Sequence, residues 1–84
     1  MVKLLYFARL RERLDCATES LELPAGVSTV GALRLWLAGR GGEWQAALAQ
    51  DHSVRVAVNQ DMASDATPVQ DHDEVAFFPP VTGG

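Results

Sequence analysis

Hydrophobic and polar positions divide the chain into short segments of differing period. Residues 2–8 (VKLLYFA) form a β-branched and aromatic run in which Val2, Leu4 and Tyr6 alternate with Lys3, Leu5 and Phe7, the pattern of a strand. Both faces of that strand are largely apolar. This places it in the middle of a sheet, covered by a helix on one side and partly covered on the other. Residues 9–15 (RLRERLD) are polar and predict a helical turn or loop. In residues 18–23 (TESLEL), Ser20 and Glu22 alternate with Leu21 and Leu23, as in a half-buried strand, which Pro24 and Gly26 end.

The period then changes. Ser28 is placed to cap a helix beginning at Thr29, with Val30, Leu33 and Leu37 on one stripe at i, i+3 and i+7. Gly39, Gly41 and Gly42 stop it. Leu35 falls nearly opposite the stripe and Trp36 to its side. A second short helical turn, 43–49, carries Trp44 and Leu48 at i and i+4. Residues 54–59 (VRVAVN) alternate, with Val54, Val56 and Val58 on one side. Asn59-Gln60-Asp61 and Asp71-His72-Asp73 read as turns. Residues 74–78 (EVAFF) are the last strand, ended by Pro79-Pro80. The order of strand, strand, helix, strand, short elements and strand predicts an α+β fold: a mixed sheet wrapped around one main helix, its first and last strands adjacent at the centre.

Composition narrows the chemistry. With 84 residues the chain makes one small domain, expected as a body over 1–78 and an extended tail over 79–84. A domain of this size buries about 60–65% of its unfolded surface, which leaves little room for a large internal active-site cavity. The formal charge of −4 argues against nucleic acid as a partner. No apolar run approaches the length that spans a bilayer, so no membrane association is expected. The one cysteine, Cys16, excludes an internal disulfide, a CxxC pair and a thiolate zinc cage. Together these predict a cytoplasmic, reducing location. No metal site is expected from Asp71, His72 and Asp73, since such turns are mostly hydrogen-bonded loops. Cys16 lies beside Asp15 and near Glu19, neighbours that raise a thiol pKa and disfavour a nucleophilic role.

The ending carries the functional information. Phe77-Phe78-Pro79-Pro80-Val81-Thr82-Gly83-Gly84 puts two aromatics, two strand-terminating prolines and a bare diglycine in succession. Prolines bias the backbone toward an extended path away from the body, and the reach from Phe78 to Gly84 is about 20 Å. A carboxylate that enters a narrow partner cavity gains clearance from having no Cβ beside it. Charge follows the same division. Residues 1–55 carry a net +1 and residues 56–84 a net −5 with no basic side chain, so the tail half is drawn to basic pockets.

Residues 71–84 (DHDEVAFFPPVTGG) resemble the ending of the sulfur-carrying small subunits of molybdopterin synthase. Residues 2–9, Arg11-Glu12 and 56–60 (VAVNQ) fit the same family's opening and middle strands. His72 is a departure, because the family usually has Gly between the two aspartates. The resemblance implies a ubiquitin-like β-grasp fold and a carrier mechanism. An ATP-dependent activating enzyme adenylates the carboxylate of Gly84, and sulfur transfer converts the acyl-adenylate to a thiocarboxylate. The tail then enters the large catalytic subunit of the synthase, where sulfur passes to cyclic pyranopterin monophosphate. A heterotetramer of two small and two large subunits is also implied. ATP is used by the activating enzyme, and no permanently bound cofactor is expected here.

On this reading Gly84 carries the reactive group and Gly83 provides clearance. Phe78, Pro79, Pro80, Val81, Thr82 and Arg11 meet the partners. Phe77 and Phe78 point to opposite sheet faces, one into the core and the other, Phe78, toward a partner. Arg9, Arg11 and Arg13 either pair with acidic groups on the activating enzyme or form a solvated loop. Three other functions compete: a sulfur carrier for thiamine or tRNA thiolation, a protein modifier joined to lysines, and an interaction domain with an inert tail.

Overall fold

The computed structural model describes residues 1–48 and 54–79. Eight elements follow the chain: β1 (Val2–Tyr6), α1 (Ala8–Leu14), β2 (Thr18–Leu21), α2 (Val30–Ala38), α3 (Gly42–Leu48), β3 (Arg55–Val58), β4 (Asp61–Ala63) and β5 (Glu74–Phe78). The strands form one five-stranded sheet in the order β2-β1-β5-β3-β4. As the order of the elements implies, β1 and β5 are central neighbours. They run parallel, with Leu4 opposite Val75 and Tyr6 opposite Phe77. The other three pairings are antiparallel, so the sheet is mixed and the architecture is the ubiquitin-like β-grasp.

One face of the sheet packs against the helices. Val2, Leu4, Tyr6, Val56, Val75 and Phe77 from the strands meet Val30, Leu33 and Leu37 from α2 and Leu48 from α3. The predicted stripe of α2 is thus fully buried. At about 25 cal/mol per Å² of apolar surface, this layer supplies the main force holding so small a domain together.

Four local readings need correction. The cap of α2 is Thr29, not Ser28: its hydroxyl accepts from the Ala32 N–H at 3.2 Å. Both residues carry a hydroxyl, and Val30, the first stripe residue, enters the helix directly after Thr29. Residues 8–14 form a complete helix rather than a turn or loop, because Leu10 and Leu14 share a face and are buried. Gly42 begins α3 instead of only stopping α2, so the main helix has two shorter companions. Finally, β2 ends at Leu21, two residues early. Ala49, predicted to end the second helical turn, lies outside the described residues.

Two turns share a polar clasp. Asn59 and Gln60 both have positive φ, 50° and 71°, and join β3 to β4 in the left-handed manner of a tight hairpin. The Asn59 side chain donates to Asp73 Oδ1 at 3.0 Å and accepts from the Glu74 N–H at 3.0 Å. Asp73 also accepts from the Gln70 N–H at 2.8 Å. These two donors, Asn59 first, hold its carboxyl below the usual range. In the second turn His72 adopts φ 73°. Glycine suits that region best, but histidine enters it more readily than most side chains.

Candidate functional site: the tail root and the open sheet face

β5 ends at Phe78, and Pro79 follows as the last described residue. The root of the tail is held from both sides. The Phe7 N–H donates to the Phe77 carbonyl at 3.1 Å, and Phe78 stands in register with Arg55 of β3. Alternation sends the two phenylalanines apart. Phe77 is fully buried, whereas Phe78 is half-buried and meets Phe7 edge-to-face at 6.5 Å. Phe7 is itself 47% exposed.

These two rings belong to the sheet face that no helix covers. Along it Leu5 lies beside Ala76, Ala76 beside Ala57 and Ala57 beside Met62. Two alanines at the centre, themselves only 7% and 9% exposed, are ringed by half-buried Leu5 and Phe78 and by exposed Met62, and together they make a shallow apolar surface continuous with the tail root. Met62 is 60% exposed. Lys3 and Glu74, opposite each other in register, close the face at the end remote from the tail, and Arg55 stands near the root. Exposed apolar surface organised in this way marks a contact site more often than scattered single residues do.

A partly buried buttress stands behind the root. Tyr6 stacks on Phe77 with ring centroids 5.7 Å apart and meets Trp44 edge-on at 5.4 Å. Its hydroxyl donates to Glu19 Oε1 at 2.9 Å. Arg40 grips the same carboxylate with two nitrogens at 2.9 and 3.2 Å. The guanidinium carbon lies 4.4 Å from the Trp44 ring centre and 5.2 Å from that of Trp36. Burial opposes ionisation of Glu19, but the hydrogen bonds from Arg40 and Tyr6 outweigh it and leave the carboxyl below its ordinary value. Burial, reinforced by Glu19, pushes the Tyr6 hydroxyl up. Burial and then Glu19 also raise the Cys16 thiol, in the direction its acidic neighbours predict.

The sequence-predicted residues divide. Phe78 and Pro79 are at the root. Arg11 lies on α1, which follows β1 at the same end of the sheet, and its side chain is exposed. Arg13 pairs with Glu43 at 3.0 Å, so the three arginines occupy a helix rather than a loop. Pro80, Val81, Thr82, Gly83 and Gly84 lie outside the described residues. Sequence reasoning missed the buttress, whose members are separated by many residues, and the burial of Arg34. Only 6% exposed, Arg34 donates through Nε to the Leu48 carbonyl at 3.1 Å at the end of α3 and faces Asp65 at 3.8 Å. An open cleft of about 300 Å³ lies beside it, between α2 and the β3–β4 hairpin. Among the described residues no cluster of three metal-ligating side chains forms, and no helix is long and apolar enough to cross a membrane.

Comparison with known proteins decides the family: residues 4–84 match the ThiS family. The chain belongs to it. This ThiS-family chain is 46% identical, over the full length of both, to the molybdopterin synthase sulfur carrier subunit of Escherichia coli (strain K12). Among solved structures it is similar to a putative molybdopterin converting factor, subunit 1, from Pyrococcus furiosus. That likeness has a TM-score of 0.76 at 30% identity and covers 95% of this chain and 97% of that one. The small archaeal modifier protein 1 of H. volcanii gives the same TM-score at 28% identity, covering 95% and 97%. The fold of this chain is therefore also that of a protein named as a modifier.

Proposed function

We propose that this protein is the sulfur-carrier subunit of a molybdopterin synthase, with Gly84 as the point of attachment. The observation that carries the reading is the 46% identity to the Escherichia coli carrier without a gap in coverage on either side. The chemistry needs little from the domain itself. A carboxylate is a poor electrophile, so a carboxylate oxygen of Gly84 first attacks the α-phosphorus of ATP on a separate activating enzyme and pyrophosphate leaves. A sulfur nucleophile then attacks the acyl carbon and AMP departs, which leaves a thiocarboxylate that is a soft nucleophile at neutral pH. That sulfur is delivered to cyclic pyranopterin monophosphate inside the large catalytic subunit.

The domain's part is to present the tail and to be held while it acts. The open apolar face, together with Phe78 and Pro79, is the surface on which the large subunit and the activating enzyme rest in turn. Arg11 and Arg55 supply charge at its edge. Gly83 keeps the terminal backbone narrow enough to thread, and Pro80, Val81 and Thr82 meet the partner. The work is done in the cytoplasm.

The test is the intact mass after incubation with ATP, a sulfide source and the activating enzyme. We expect a gain matching replacement of one oxygen by sulfur, mapped to Gly84 and retained in Cys16→Ser. Deletion of Gly84 abolishes the gain with no change in melting temperature. Normal loading of the Gly84-deleted chain would overturn the proposal. The modifier reading predicts instead isopeptide-linked adducts on other proteins.

A further inference from the structure

An activated carboxyl group reacts with any accessible amine, so the amines of the carrier matter. Lys3 is the sole lysine of the 84 residues, the other six basic side chains being arginines, which are too strongly protonated to be acylated. Lys3 is exposed on the open face of β1, flanked in register by Ser20 of β2 and Glu74 of β5. The amine of Met1 is differently placed: it is ion-paired with Asp71. The Cys16 thiol, half-buried and raised by burial and Glu19, is a weak competitor.

We propose that Lys3 is a self-modification site, the side chain through which a second copy of this chain, carrying an activated C-terminal acyl group, becomes joined to the first. The step rests on the carrier reading for its acyl-adenylate. The Lys3 Nζ lone pair attacks the Gly84 carbonyl carbon of the other copy and a C–N bond forms. The C–O bond to AMP breaks, AMP leaves with the electron pair, and the ammonium proton passes to solvent. Attack within one copy is disfavoured. Lys3 lies four strand positions back from Phe78, about 13 Å, and β5 runs parallel to β1 and so leads the chain away from it. Joining has a functional consequence: a copy attached at Lys3 sits on the face that the synthase partner would use, which withdraws the acceptor from sulfur transfer.

The experiment supplies activation chemically, so that it does not depend on the adenylation step. The full chain is prepared as a C-terminal thioester and incubated at mildly alkaline pH with untreated chain, then quenched with excess thiol to release thioester-linked products. Capture of a parallel sample by hydroxylamine shows that the thioester is live. We expect a thiol-resistant covalent dimer whose branch point maps to Lys3, and loss of that dimer when thioester chain and acceptor chain both carry Lys3→Arg. A live thioester that gives no dimer, a branch at Met1, or an undiminished dimer with Lys3→Arg would overturn the proposal. None of these results bears on sulfur loading of Gly84, which the intact-mass measurement reads separately.

Discussion

The two faces of the sheet are built from the same strands and both have apolar centres, yet only one is covered by helices. On the helix side Tyr6, Val75 and Phe77 are fully buried beneath α2 and α3. On the open side the central positions are Ala57 and Ala76, and the larger Leu5, Phe7, Phe78 and Met62 stand around them. Hydrophobicity alone therefore does not separate a core from a contact surface. Size and coverage do. Large residues at the centre of a face interlock with helices, whereas small residues at the centre leave a flat area to which another protein can be fitted and from which it can leave.

Substitutions break this contrast in graded ways. Phe77→Ala removes the ring between Tyr6 and the core and is expected to cost about 3–5 kcal/mol, enough to unfold much of so small a domain; urea denaturation reads it. On the other face Met62→Glu, at a side chain 60% exposed, should leave stability within about 1 kcal/mol but weaken docking of the large subunit by about 1–2 kcal/mol, measured by calorimetry. If Met62→Glu unfolded the domain instead, the open face would be structural.

The buttress gives a smaller effect with a pH signature. Glu19→Gln should cost about 1–2 kcal/mol, the loss of a partly buried two-point ion pair. Because the folded carboxyl lies below its ordinary value, its contribution is present above about pH 4.3 and is lost as pH falls through the folded value. The substitution should therefore flatten the acid limb of a melting curve against pH. Tyr6 is raised, so its contribution is intact below the ordinary tyrosine value and declines above it; Tyr6→Phe flattens the alkaline limb. Met62→Ser, at the exposed edge, should change stability by a few tenths of a kcal/mol at most, seen as an almost unshifted melting temperature.

Much of this arrangement was legible in the residues. The two-sided apolar character of β1 and the order of the elements led to its central pairing with β5, and the Val30-Leu33-Leu37 stripe identified the core of α2. What escaped were features without a local signature. β4 is three residues long and exists through the Asn59-Gln60 turn and its pairing to β3. The Arg40–Glu19–Tyr6 group is assembled only when β2 and the α2–α3 junction meet. Arg34 reads as a surface charge on a helix, and its burial depends on where α3 ends. Phe78 was assigned outward by strand alternation, and the half-buried ring agrees. For Gly83 and Gly84 the reading comes from chain chemistry and family resemblance alone.

The parallel pairing of β1 with β5 also bears on how the protein is made. The first strand emerges early in synthesis but has no central partner until residues 74–78 have left the ribosome, since Lys3 pairs opposite Glu74 and Tyr6 opposite Phe77. Pairing of such distant segments makes folding a late event. A chain interrupted before Phe78 lacks the strand that closes the sheet and exposes apolar surface to proteases. Completion of the fold thus waits on the strand that directly precedes the tail.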